Sequence, residues 1–123
     1  MEQATVVGID VSKDRLDVYV LPFEEAWAVP RDAEGLAELC NRLQGLSGVV
    51  ALEATGGYEN VVAATLSSAS IPLVVVNPAQ VRAFAKALGQ RAKTDPIDAR
   101  VIARFAEATK PLVRPLPARP IRE

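Results

Sequence analysis

Two acidic residues break runs that are otherwise apolar. Asp10 lies near the end of TVVGIDV, residues 5–11, and Glu53 closes GVVALE, residues 48–53. Both runs are rich in Val, Ile or Leu and read as short buried strands. A buried strand seldom tolerates an unpaired carboxylate. If the two strands are parallel neighbours, the acids sit side by side at the carboxyl ends of the sheet, where open α/β sheets place ligands. Two carboxylates about 5 Å apart repel by roughly 3 kcal/mol at an effective dielectric of about 20. A shared proton or a divalent cation would offset that repulsion. The chain has no histidine and one cysteine, Cys40. The available donors are therefore oxygens, which favour a hard ion such as Mg²⁺ or Mn²⁺. Each acid could instead be a strand-end residue that caps a turn.

Asp95 and Asp98 have a different setting. TDPID, residues 94–98, reads as a helix start, with Thr94 or Asp95 as cap and Pro96 in the first turn. Acids there complement the helix dipole, so capping alone accounts for both. Their i, i+3 spacing also places both carboxylates on one helical side. A helix start aimed at the strand ends would deliver them to Asp10 and Glu53. Basic residues flank these acids: Arg82 and Lys86 four apart, Arg91 and Lys93 before the helix, and Arg100 and Arg104 four apart. Such stripes suit phosphate backbones, and solvated helix faces look the same. Gly56 and Gly57, just after Glu53, could admit a sugar-phosphate close to the backbone or simply form a turn.

The absence of histidine excludes Ser-His-Asp and Cys-His nucleophilic sites, and a single cysteine excludes an internal disulfide or a Cys-based zinc site. No apolar run reaches the roughly 20 residues of a membrane span, and the N-terminus lacks a basic signal-peptide start. A protein with no membrane association, placed in the cytoplasm, is the expectation. The net charge of -1 hides an asymmetry. Residues 1–60 carry 4 Lys/Arg against 11 Asp/Glu, or -7, and residues 61–123 carry 10 against 4, or +6. A basic second half is compatible with a phosphate-bearing partner or with two solvated faces.

The elements that must position these residues follow from periodicity. After the first strand, Ser12 to Arg15 forms a polar turn, Leu16–Val20 reads as a return strand, and Glu24 to Val29 as an edge-like third strand before Pro30. Asp32 caps a helix carrying Leu36, Leu39, Cys40 and Leu43, which ends at Gly45. The Glu53 strand follows, then a helix over Tyr58 to Ser68 and an apolar strand over Pro72 to Val76. Pro78 opens a third helix, and Asp95 to Thr109 forms a fourth. The tail holds Pro111, Pro115, Pro117 and Pro120, which favours an extended linker. The order β-β-β-α-β-α-β-α-α predicts an antiparallel meander extended by parallel strands through right-handed crossovers. It suits an RNase H-like domain, half of an actin-like ATPase fold, or a plain α/β domain.

Three segments, GIDVSKDRLDVYVL, ALEATGGYE and KTDPIDARVIARFA, resemble in sequence and order the N-terminal domain of DEDD-type insertion-sequence transposases. That group includes pilin-gene-inverting and bridge-RNA-guided recombinases. The resemblance spans residues 5–110. It implies a fold similar to the RuvC resolvase: an RNase H-like mixed five-stranded sheet of order 3-2-1-4-5, flanked by helices. It maps an acidic tetrad onto Asp10, Glu53, Asp95 and Asp98, binding Mg²⁺ or Mn²⁺ for DNA strand cleavage and exchange. Lys13 and Lys93 match basic motif positions near phosphates. Partners implied are DNA, a guide RNA in one branch, and further copies of the chain as a dimer or tetramer. Family members continue into a C-terminal domain bearing a serine that attacks DNA. This chain stops at Glu123, so residues 1–109 are expected to be the acidic domain and 110–123 a proline-rich linker or tail. Complete recombination by this chain alone is not expected.

Two other classes stay open on the residues. GIDVSKDRLDVYVL could serve as the phosphate hairpin of an actin-like nucleotide-binding fragment. The acids could also be caps only, with a non-catalytic module holding nucleic acid by its basic stripes.

Overall fold

The computed structural model describes residues 5–54, 56–89 and 98–110. Its elements are β1 (Thr5–Val11), β2 (Arg15–Leu21), β3 (Glu25–Pro30), α1 (Ala33–Leu43), β4 (Gly48–Glu53), α2 (Tyr58–Ser68), β5 (Leu73–Val76), α3 (Pro78–Ala87) and α4 (Ala99–Thr109). The expected order β-β-β-α-β-α-β-α-α is the observed one. The strands form one sheet in the order β3-β2-β1-β4-β5. The first three strands pair antiparallel, and β4 and β5 add in parallel.

Alternation along the strands sorts side chains onto two faces. Val7, Ile9 and Val11 of β1 pack with Leu16 and Val18 of β2, Leu52 of β4, Leu39 of α1, and Val62 and Leu66 of α2. Val6 and Ala51 face the other way, with Val81 of α3 and Ile102, Ala103 and Phe105 of α4. Phe84 and Phe105 meet edge to face at 5.6 Å, which ties α3 to α4. Asp32 caps α1 as expected, accepting from the Gly35 amide at 2.8 Å. Asn77 caps α3 through the Ala79 amide, with Pro78 in the first turn. The edge strand β3 takes Pro30 as its last residue, a place where the missing amide proton costs no central ladder bond.

The fourth helix departs from expectation. It begins at Ala99 rather than Asp95, and its N-cap is Asp98. Asp98 has extended backbone angles, φ -122° and ψ 177°, and its Oδ1 accepts from the Val101 amide at 3.0 Å. Among the described residues, Ala99 and Val101 are buried directly after Asp98, which fits the cap at Asp98. Asp95, Arg91, Lys93 and the proline-rich tail beyond Lys110 lie outside the described residues. Among the described residues, no helix is long and apolar enough to cross a membrane.

One glycine decides how α4 sits. A Cβ at Gly8 would overlap the carbonyl oxygen of Ala99 and the amide nitrogen of Ala103. Both are backbone atoms, so no side-chain adjustment could make room. Gly8 thus lets the first turns of α4 lie directly on β1, two residues from Asp10.

Candidate active site

The parallel register pairs Ile9 with Leu52, so Asp10 and Glu53 occupy the next positions of adjacent strands. Ile9 and Leu52 point to the α1–α2 face, which turns Asp10 and Glu53 to the α3–α4 face. The two acids are brought together at the carboxyl ends of β1 and β4. Glu53 is 7% exposed, and its Oε2 is buried with no hydrogen-bond partner. Burial pushes the Glu53 carboxyl up, the Asp10 charge adds to this, and the Arg82 guanidinium of α3 acts in the opposite direction. Asp10 is half-buried. Its carboxyl is also pushed up, first by burial, then by Asp17 and then by Asp98. Both acids therefore hold protons more readily than exposed ones do.

Asp98 reaches this site from α4 while capping the helix. Capping and electrostatic proximity to Asp10 occur together on one side chain. Among the described residues, no group of three or more His, Cys, Asp or Glu is arranged to hold a metal. Asp95, the fourth member of the acidic set, falls outside the described residues. The donor chemistry nonetheless fits a hard cation: carboxylate oxygens that repel one another, one of them buried without a partner.

Sequence reasoning passed over Asp17. It is the cross-strand partner of Asp10 on β2 and forms an ion pair with Arg15 at 2.8 Å. The hairpin carried the signal. Once the Ser12–Arg15 turn is placed, counting outward pairs Val11 with Leu16 and sets Asp17 opposite Asp10.

The basic residues are placed unevenly. Lys13 is exposed in the β1–β2 turn, and its carbonyl accepts from Arg31 Nε at 2.6 Å. The Arg31 guanidinium also lies 4.8 Å from the Tyr58 ring centroid, so one side chain links that turn to the start of α2. Arg82 and Lys86 are exposed on α3, and Arg82 is the one that reaches Glu53 electrostatically. Arg100 is exposed in the first turn of α4, whereas Arg104 is partly buried. Gly56 and Gly57 have φ of 81° and 125°, a region L side chains rarely adopt. The Gly57 amide donates to Glu59 Oε1 at 3.0 Å, so this amide already has an internal acceptor.

Sheet order, flanking helices and acids at the strand ends define an RNase H-like domain. The fold is similar to that of Thermus thermophilus RuvC, at TM-score 0.58 and 20% identity over 91% of this chain and 99% of that one. A second RuvC structure from that organism, in complex with a Holliday junction substrate, gives TM-score 0.55 and 20% identity over 93% of this chain and all of that one. The chain belongs to the DEDD transposase family of the IS110 type, whose model, described as transposase, matches residues 7–121. It is 32% identical over 120 residues to the pilin gene-inverting protein of Moraxella lacunata. That alignment covers 90% of this chain and 37% of the relative, so the chain spans little more than a third of the relative's length. Family membership selects the transposase reading over the actin-like fragment, a choice that element order alone left open.

Proposed function

We propose that this chain supplies the metal-binding acidic half of a DNA transposase or recombinase active site. Asp10, Glu53 and Asp98, joined by Asp95, would hold Mg²⁺ or Mn²⁺, and DNA is the substrate. The observation that carries this reading is the buried, unpartnered Oε2 of Glu53 beside Asp10. A buried carboxylate oxygen without a donor costs free energy that a cation would offset. When bound, the cation would stabilise charge on a phosphate oxygen and activate an attacking hydroxyl. The chain's own residues have separate tasks. Asp10 and Glu53 are held rigidly on adjacent strands, and Asp98 is fixed by its cap hydrogen bond. Lys13, Arg82, Lys86 and Arg100 present exposed positive charge around the acids, suited to positioning phosphates without reading bases. Arg91, Lys93 and Arg104 would extend that set, and Gly56 and Gly57 would keep the approach beside Glu53 free of side chains.

The family reading also implies a composite site, completed by a serine from a C-terminal domain. Residues 110–123 would then connect the acidic domain, residues 1–109, to that second part. A dimer or tetramer and, in one branch of the family, a guide RNA would complete the assembly.

The test is Mn²⁺ titration of the full chain, followed by electron paramagnetic resonance, with DNA binding measured in parallel. Asp10→Asn and Glu53→Gln are expected to weaken Mn²⁺ binding by about tenfold or more each, while DNA binding in chelator changes little. Equal Mn²⁺ affinity in all three proteins would sink the proposed site. DNA binding by a wild-type chain that takes up no Mn²⁺ would point to a non-catalytic module instead.

A further inference from the structure

Asp10 has an acid on each side. Glu53 stands next to it on β4, and Asp17 stands opposite it on β2. Cross-strand partners leave the same face of a sheet, so Asp17 also projects towards α4. Like charges directly opposite destabilise a strand pair, and here Arg15 answers the charge. Its Nε and Nη2 lie 2.9 and 2.8 Å from Asp17 Oδ1. Both of these contacts fall on the same oxygen, Oδ1. The two side chains are 64% and 37% exposed. An ion pair this open to water is weakly held and readily exchanged.

The pair also has a defined place. It lines an open groove of about 420 Å³ between the β2–β3 hairpin and the start of α4, together with Asp98, Ala99 and Arg100. At the inner end of the same row of acids lies the buried Oε2 of Glu53, which has no donor. That orphaned atom, separate from the Arg15–Asp17 pair, is what points to a cation beside the row.

We propose that Asp17 is a further carboxylate of the cation site, held in reserve by Arg15, and that a nucleic-acid phosphate entering the groove takes Arg15 and releases Asp17 towards the cation. The inference rests on the metal-site reading above. Arg15 suits the exchange because a guanidinium binds carboxylate and phosphate with the same planar fork of donors. Arg100, exposed on the opposite wall, offers the phosphate a second positive charge. Strand and cation then favour each other's binding, and the coupling is reciprocal. Asp17 is a positioning residue here. It adds charge beside Asp10 and takes part in no covalent step.

The experiment measures Mn²⁺ affinity of the full chain by electron paramagnetic resonance. Oligonucleotide affinity, with and without Mn²⁺, is read by fluorescence anisotropy. Asp17→Asn is expected to weaken Mn²⁺ binding by about fivefold and Arg15→Gln to tighten it by a similar factor. Arg15→Gln should add nothing in the Asp17→Asn background. Mn²⁺ should strengthen oligonucleotide binding in the wild type but not in Asp17→Asn, and Asp17→Ser should behave as Asp17→Asn does. Wild-type Mn²⁺ affinity in both single variants would overturn the role of Asp17. A gain from Arg15→Gln that persists without Asp17 would show Arg15 acting as a plain repelling charge, and would overturn the reserve mechanism. A wild-type chain that binds no Mn²⁺ would overturn the metal site itself, which distinguishes that failure from the other two.

Discussion

At the scale of single residues, Asp98 carries two demands on one carboxylate. It accepts the Val101 amide as N-cap, and its charge raises the Asp10 carboxyl. Asparagine caps a helix about as well as aspartate but brings no charge, so substitution can separate the two roles. Asp98→Asn is expected to leave the metal-free melting temperature within about 2 °C of wild type while weakening Mn²⁺ binding by about tenfold. Asp98→Ala should show the same metal defect and also lose about 1 kcal/mol of stability. Thermal melts in chelator, paired with Mn²⁺ titrations, check both. Equal stability loss in the two variants would mean that charge, and not the cap, holds the helix start. The sequence offered both roles for the TDPID segment, but spacing could not say which acid caps. The cap geometry at Asp98, with Ala99 and Val101 buried after it, decided it.

At the scale of elements, the site depends on how closely α4 approaches β1. Gly8 sets that distance, because a Cβ there would meet the backbone of Ala99 and Ala103. Gly8→Ala is expected to cost about 1–3 kcal/mol, since a helix backbone has no rotamer with which to yield. The same shift would carry Asp98 away from Asp10, so Mn²⁺ affinity should fall with stability. A neutral control is Ala108→Ser, exposed near the end of the same helix. A Gly8→Ala protein with wild-type melting temperature and wild-type Mn²⁺ affinity would show that the approach is looser than the structure indicates. In sequence, Gly8 reads as a break in an apolar run. Its purpose became visible only when α4 was seen lying across it.

At the scale of the whole molecule, the acids make stability depend on pH. Burial raises the carboxyls of Asp10 and Glu53, and neighbouring acids add to it, Asp17 and Asp98 at Asp10 and Asp10 at Glu53, so the folded state keeps protons that the unfolded chain has released. Their contribution is therefore largest at the acid end. It is lost as pH climbs from the ordinary carboxylate range through the raised folded values. In chelator, the melting temperature is expected to fall as pH rises above the ordinary carboxylate range. Glu53→Gln should flatten that fall and stabilise the metal-free protein at neutral pH. Saturating Mn²⁺ should offset the loss by binding only the folded form. A wild-type melting temperature that rises steadily above this range in chelator would contradict the raised pair.

Local patterning alone determined the element order, the buried strands, the cap at Asp32 and the acids at or near the ends of β1 and β4. Each of these depends on residues within a few positions of one another, through periodicity, turn chemistry or the cost of burying a charge. The three motifs, taken together and in order, also indicated the family. Tertiary structure decided what depends on distant partners. It laid α4 on Gly8, brought Arg82 to Glu53 and left one Glu53 oxygen without a donor. Strand register and helix packing carry that information, and both arise from contacts between segments far apart in the chain. Asp10 and Glu53 could thus be picked out as an unusual pair from sequence, whereas the charges that surround them could be assigned only in three dimensions.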